Sequence, residues 1–328
     1  RHVTPRRSIR QTILVTVRKS MLLTMHPTGS VAARFSHLSS ALCDSQGVRR
    51  LPGIIKALPL PPQAPETFGH ALAGDGGSLV VSALDTNLEE DRAEDVYLYS
   101  KSDDGEWVWQ KVLQGTVGER EFFGASVGVD GDWIAVGAPK AGLGSVYLFR
   151  RESGGEFRPS PQVLAPCLGT LDPNTGACHV ACVDESESCD DVYRVVNHFG
   201  TSLAIEDGRL VVGAHNLVIV YELRADDVWV ETARLQPESP RADDDHFGEA
   251  VDLDNGRIAV GAVWAELEGQ RVGAVYVFEL ASENWQQVAR LFDSRRQAGD
   301  EFGVNLDLAG DSLLVGRLAE NVSVGRRG

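Results

Sequence analysis

Along most of the chain, short segments of alternating apolar and polar residues close on a glycine turn and are answered by a second apolar run. In one copy Ala125-Ser126-Val127-Gly128-Val129 is answered by Trp133-Ile134-Ala135-Val136 across Asp130-Gly131. Asp207-Gly208, Asp254-Asn255-Gly256 and Gly310-Asp311 hold the same place in three others. Glycine, Asn and Asp tolerate the positive φ of tight turns, and period-two alternation marks a half-buried strand, so each copy predicts a β-hairpin. A Phe-Gly pair opens every hairpin: Phe68-Gly69, Phe123-Gly124, Phe199-Gly200, Phe247-Gly248 and Phe302-Gly303. In all five, a valine lies thirteen residues after the phenylalanine and begins Val-Gly-Ala or a close variant: Val81, Val136, Val212, Val260 and Val315. The copies stand 55, 76, 48 and 55 residues apart, so one unit repeats with loops of differing length.

A third strand follows each of the first four hairpins, at 95–100, 144–149, 218–223 and 273–278, with a tyrosine among β-branched and apolar neighbours. A polar turn then leads to an aromatic residue (Trp107, Phe157, Trp229, Trp285) and, six or seven residues on, a leucine. This is the fourth strand. Four short antiparallel strands make a sheet too small to cover its own apolar faces, so copies must stack around an axis. The expected fold is all-β, a β-propeller of four-stranded antiparallel blades with about five repeats, incomplete or part of a seven-bladed ring. Leu58 stands ten residues before Phe68, as Leu113 does before Phe123. Ile54–Leu58 is therefore expected to pair into the blade opened by Phe302 and close the ring.

Phe-Gly, then Val-Gly-Ala-Pro (Val136–Pro139), then Gly-x-Val-Tyr-x-Phe (Gly144–Phe149 and Gly273–Phe278) resembles the FG-GAP repeat of integrin α-chain propellers and of many bacterial and protist surface proteins. The resemblance covers residues 54 to 318; Ser82 replaces the glycine of the first copy and Arg317 the alanine of the fifth. It implies a non-enzymatic module, extracellular or on the cell surface, binding a protein or glycan in an adhesion-type role. Integrin-type copies carry a calcium loop between the two hairpin strands. Such a loop needs around a dozen residues and several carboxylates. The thirteen-residue spacing leaves only a short turn there, so no cofactor is expected at that place.

Charge divides the chain. Residues 1–66 hold ten Lys or Arg against Asp44 and Glu66, whereas the whole carries a net charge of −16. An acidic repeat region repels nucleic-acid phosphates, and nucleic acid is not expected as a partner. Residues 1–53 read as a basic leader, disordered or targeting-like, which keeps an organelle address open. The propeller follows at 54–318, with a Cys-rich insertion at 165–192, and 319–328 form a tail. No apolar run is long enough to span a membrane. The chain is expected to be a monomer or part of a larger surface protein.

Cys167, Cys178, Cys182 and Cys189 lie in the longest stretch between copies. Two disulfides stapling a surface insertion are one reading; a zinc site using Cys178, Cys182 and His179 is the other. Cys43 stands alone, and Asn321-Val322-Ser323 is a glycosylation acceptor triplet. Asp85, Asn87, Glu89 and Asp91 alternate like the opening of a calcium loop, although Glu90 stands where that loop needs glycine. A solvated acidic loop is the plainer reading. Acids also precede three Phe-Gly pairs (Glu119 and Glu121, Asp243 to Asp245, Asp300 and Glu301), where a carboxylate accepts backbone N–H groups at a turn.

Catalytic motifs are missing from the sequence: there is no nucleophile elbow, Walker loop or zincin helix. His70, His198, His215 and His246 lie near the repeat anchors but recur at no single position, so they read as structural. The repeating aromatics read as packing. Binding is the leading expectation; a propeller accessory domain of a hydrolase or lyase, or a calcium-binding surface protein, are the alternatives.

Overall fold

The computed structural model describes residues 21–25, 31–35, 56–58, 68–84, 95–115, 121–166, 170–171, 178–179, 197–238 and 245–318. Its regular structure is strand throughout. Four antiparallel sheets of four strands follow one another, each in simple up-and-down order. Blade 1 comprises Phe68–Gly74, Ser78–Ala83, Asp95–Lys101 and Trp107–Leu113. Blade 2 comprises Ser126–Asp130, Trp133–Ala138, Ser145–Arg151 and Phe157–Leu164. In blade 3 the strands are Ser202–Glu206, Arg209–Ala214, Leu217–Leu223 and Trp229–Leu235. Those of blade 4 are Phe247–Asp254, Arg257–Ala262, Ala274–Ala281 and Asn284–Leu291. Blade 5 has two, Glu301–Ala309 and Ser312–Leu318.

The core lies between blades. On the second strand of blade 3, Leu210, Val212 and Ala214 pack toward blade 2 with Trp133, Leu148 and Leu164, while Val211 packs toward blade 4 with Val251 and Val260. Both faces are covered, so this strand reads apolar at nearly every position. In the four complete blades the Phe-Gly phenylalanine meets a strand-three tyrosine of its own blade edge-on, at 5.3 Å for Phe68 and Tyr97, 5.4 Å for both Phe123–Tyr147 and Phe247–Tyr276, and 6.2 Å for Phe199–Tyr221. The third and fourth strands of every complete blade share a register shift at one place, between Leu98 and Tyr99, Tyr147 and Phe149, Val220 and Tyr221, Val277 and Phe278. A bulge there adds twist to the outer strand.

Two glycines per repeat explain the motif. A Cβ placed on Gly137, Gly213 or Gly261 would lie 2.1 Å from the carbonyl oxygen of Gly200, Gly248 or Gly303 in the following blade. Those latter glycines are the Phe-Gly ones, at φ of 90 to 101°. Gly of one blade and Phe-Gly of the next therefore interlock backbone to backbone. Ser126 and Ser202 seal the contact by donating to the Gly200 and Gly248 carbonyls at 2.7 and 2.8 Å. Blade 1 keeps a serine but moves it: Ala71 replaces the strand-one serine, and Ser82, in the glycine place, accepts the Ala71 N–H at 2.9 Å.

A second staple joins the hairpin turns. Asp130, Glu206 and Asp254 end the first strands of blades 2, 3 and 4, and accept the backbone N–H of Asp207, Asn255 and Gly310 in the next turn at 2.7, 2.9 and 2.7 Å.

Ring closure differs from expectation. Lys56 and Ala57 pair with Ala33 and Ala32 rather than with the blade opened by Phe302. Val31–Phe35 pairs in turn with Met21–Met25. Leu58 turns into the apolar cluster of blade 1 with Phe68, Leu79, Tyr97 and Tyr99, so its spacing marks the lead-in to blade 1. The second strand of blade 5 is half-exposed, with Leu314 at 50% and Leu318 at 53%, where the same strand of blades 2 and 1 is wholly buried.

Candidate functional site

The interlocked glycines bring two loops together at one end of every blade. The residue before Phe-Gly takes a left-handed conformation in blades 2, 3 and 4: Phe122 at φ 57°, His198 at 62° and His246 at 55°. The chain that leaves Val-Gly-Ala is tied beside it. Lys140 N–H donates to the Glu121 carbonyl at 3.1 Å, His215 N–H to Asn197 at 2.6 Å and Trp264 N–H to Asp245 at 3.1 Å. Each junction therefore presents one pair of side chains.

The pairs differ while the backbone bond that joins them recurs. Lys140 Nζ stands 3.7 Å over the Phe122 ring. The His198 and His215 rings are 5.9 Å apart, and those of His246 and Trp264 3.7 Å. Between blades, His215 and His246 meet at 4.3 Å. Arg271, from the small hairpin Glu266–Leu267 and Gln270–Arg271 that blade 4 adds, lies 4.9 Å over Trp264. Glu249 faces His246, Oε2 to Nδ1 at 3.6 Å. Rings, imidazoles and cations thus form one array across blades 2 to 4, half-exposed at the surface.

Two of these groups are displaced from their ordinary titration. The contact with His246 holds the Glu249 carboxyl below the usual carboxylate range, with His215 and His198 adding to the effect. Burial holds His198 below the ordinary imidazole value; His215 and Lys140 push the same way and Glu249 opposes them.

A groove of about 850 Å³ opens on the side between blades 2 and 3. Trp133, Pro159 and Val228 lie along it, with Arg150, Arg151 and Arg158. The arginines are engaged: Arg150 with Asp227 at 2.7 Å, Arg151 with Asp132 at 3.2 Å, Arg158 with Glu152 at 3.1 Å. Pro159 and Pro161, on the outermost strand of blade 2, lack the N–H that an added strand would need.

Of the residues singled out by sequence, the structure brings together His198, His215 and His246. His70 lies on the first strand of blade 1, exposed. Asp245 accepts the Phe247 N–H at 3.2 Å, Asp300 accepts Gln297 N–H at 2.7 Å and Glu121 accepts the Tyr147 hydroxyl at 2.9 Å. The four calcium candidates, Asp85, Asn87, Glu89 and Asp91, lie outside the described residues, as do Cys167, Cys182, Cys189 and Asn321. Cys178 and His179 form a short strand paired with Thr170 and Leu171. Among the described residues no metal-holding cluster of three or more His, Cys, Asp or Glu occurs, and no helix is long and apolar enough to cross a membrane. Sequence reasoning asked whether one residue type recurs, and so missed the array. The usable signal was positional: the residues before Phe-Gly and after Val-Gly-Ala vary in kind while the spacing between the two motifs is constant.

The family model for the FG-GAP repeat matches residues 110–149 and 229–278. The chain carries FG-GAP repeats. Each FG-GAP match opens on the outer strand of one blade and runs through three strands of the next, so the unit of sequence straddles two blades. No curated protein matches the chain. Among solved structures, a protein from Lactobacillus plantarum is 14% identical, with a TM-score of 0.44 over 88% of this chain and 70% of that one. One provisionally described as a 6-phosphogluconolactonase, from Bacteroides uniformis ATCC 8492, is 11% identical, with a TM-score of 0.46 over 74% and 62%. A functionally unknown protein from Desulfotomaculum acetoxidans DSM 771 is 9% identical, with a TM-score of 0.48 over 84% and 68%.

Proposed function

We propose that this FG-GAP propeller is a non-enzymatic binding module, exposed outside the cell or on its surface, that recognises a protein or glycan through the side-chain array at its Phe-Gly end. One observation carries the reading. Three consecutive junctions share one backbone hydrogen bond beside the residue before Phe-Gly and present Phe122 with Lys140, His198 with His215, and His246 with Trp264. A scaffold that is constant where it packs and variable where it faces solvent suits recognition, because side chains change there at little cost to folding. Half-buried rings with polar handles and flanking cations are the composition of recognition surfaces.

The test is a screen of the folded chain on surface-protein and glycan arrays, followed by Trp264→Ala and Lys140→Ala on any ligand found. Each substitution is expected to weaken binding by about 1–2 kcal/mol with the denaturation midpoint unchanged. Binding that survives both substitutions, or moves only with Arg150 and Arg158, would place recognition in the lateral groove and refute the reading.

A further inference from the structure

The histidines of the array have a property that packing alone does not require. Histidine is the side chain whose charge ordinarily changes between about pH 5 and 8. Here three imidazoles from the turns of blades 3 and 4 lie in contact, His198 with His215 at 5.9 Å and His215 with His246 at 4.3 Å between ring centres. The charged groups around them are Lys140, from blade 2, Glu249, which faces His246, and Arg271 behind Trp264 with its partner Glu266. Asp245 and Glu121 lie on the adjoining turns, engaged with the Phe247 N–H and the Tyr147 hydroxyl. Lys140 and Glu249 border the imidazoles, and behind Trp264 the Arg271 guanidinium is paired with Glu266 at 3.9 Å, so cations and carboxylates balance. The array is near neutral when the imidazoles are neutral, and each protonation adds one positive charge to it.

Resting on the array as the recognition surface, we propose that it is an acid-gated site for an oxyanion, a sulfate or phosphate group on the ligand, closed at neutral pH and opened by protonation of His198, His215 and His246. An oxyanion seated among the three rings accepts their N–H groups in the protonated state, when both ring nitrogens are donors. Lys140 then supplies charge that does not titrate in this range, while Arg271 stays paired with Glu266. The low position of His198 sets the direction: its proton arrives only as the medium becomes more acid than the ordinary imidazole value. Glu249, held ionised, keeps the empty site from accumulating uncompensated charge.

Calorimetry of the full chain with inorganic sulfate, whose own charge is constant over this range, tests this at about pH 5.5 and about pH 8. An imidazolium within about 6 Å of the bound anion strengthens it about threefold even at the dielectric of water, so binding at the acid pH is expected to be tighter by about threefold for each ring that carries the extra proton. The variant carrying His198→Asn, His215→Asn and His246→Asn is expected to lose that difference. Its denaturation midpoint shows whether it folds; should it not, single His198→Asn, the most exposed of the three, is expected to lose about threefold of the acid-side affinity. Equal binding at both pH values, no binding at either, or a pH difference that the folded triple variant retains overturns the proposal. Histidine-dependent binding of zinc chloride at about pH 8, with no anion binding, also overturns it, in favour of a metal centre. Since these probes need no macromolecular ligand, a failure here leaves the array reading standing, and anion binding without any array ligand does the reverse.

Discussion

Gly213→Ala puts the interlocking of blades to a quantitative test. The added methyl carbon would lie 2.1 Å from the Gly248 oxygen and 2.2 Å from Ser202 Oγ, and neither is the far end of a flexible chain. Relief requires the junction between blades 3 and 4 to open by about 1 Å, an overpacking strain of about 1–3 kcal/mol. It also breaks the Ser202 hydroxyl bond to the Gly248 carbonyl, worth about 1 kcal/mol. Alanine gains about 0.4–1 kcal/mol by restricting the unfolded chain. The net expectation is a loss of about 2–3 kcal/mol, a large share of the stability of a typical domain. Gly154→Ala is the matched control, since nothing lies within 4 Å of its added carbon and the unfolded-state gain is shared. Urea denaturation followed by tryptophan fluorescence gives both midpoints. A Gly213→Ala midpoint within about 1 kcal/mol of the control would refute the interlock as the reason for the Gly of the motif.

Other consequences are open to measurement. Burial, then Asp95, pushes the Tyr97 hydroxyl up to about 12, so the neutral phenol stabilises the fold fully below its unfolded value and that stability is lost as pH rises from about 10 through 12. Ultraviolet titration of tyrosinate should show this step delayed in the folded chain and absent in Tyr97→Phe; an unshifted first step speaks against the buried hydroxyl. Leu314→Lys, at a half-exposed position of blade 5, is expected to change stability by less than about 0.5 kcal/mol while lowering self-association in light scattering. Unchanged scattering would mean that this strand is not where copies meet.

The propeller was readable because its packing is written into adjacent positions. Phe-Gly and Val-Gly-Ala sit thirteen residues apart because the hairpin between them has one length, and the alternation of Val211 and Val212 toward different blades appears in the sequence as an unbroken apolar run. What escaped were relations between blades. Ser82 reads as a worn copy of glycine until its bond to Ala71 shows the serine moved from one strand to the other. Leu58 repeats the spacing of Leu113, and spacing alone does not say which sheet a segment joins. The histidine array escaped for the same reason: His215 and His246 belong to different repeats, and their contact is made only when blades stack.

The carboxylates that end the first strands do more than the turns require, and they carry a last prediction. By sequence Asp130, Asp207 and Asp254 were residues of tight turns. In the fold Asp130, Glu206 and Asp254 reach across to the next blade, and glutamate serves as well as aspartate because the requirement is an acceptor, not a turn conformation. Glu206 is buried, with its Oε2 2.9 Å from the Asn255 nitrogen. A bond from a backbone N–H to an ionised acceptor contributes about 1.5–3 kcal/mol, against about 1 kcal/mol for a neutral acceptor. Glu206→Gln keeps an oxygen in place and should cost about 1 kcal/mol; Glu206→Ala strands the Asn255 N–H and should cost about 2–3 kcal/mol in urea denaturation. Asp75 occupies the same place in blade 1 but accepts the Gly77 and Ser78 N–H groups of its own turn, at 3.3 and 2.9 Å. Asp75→Ala therefore loses a local turn and no blade contact. If it destabilises the chain as much as Glu206→Ala, the staple between turns is not what Glu206 contributes.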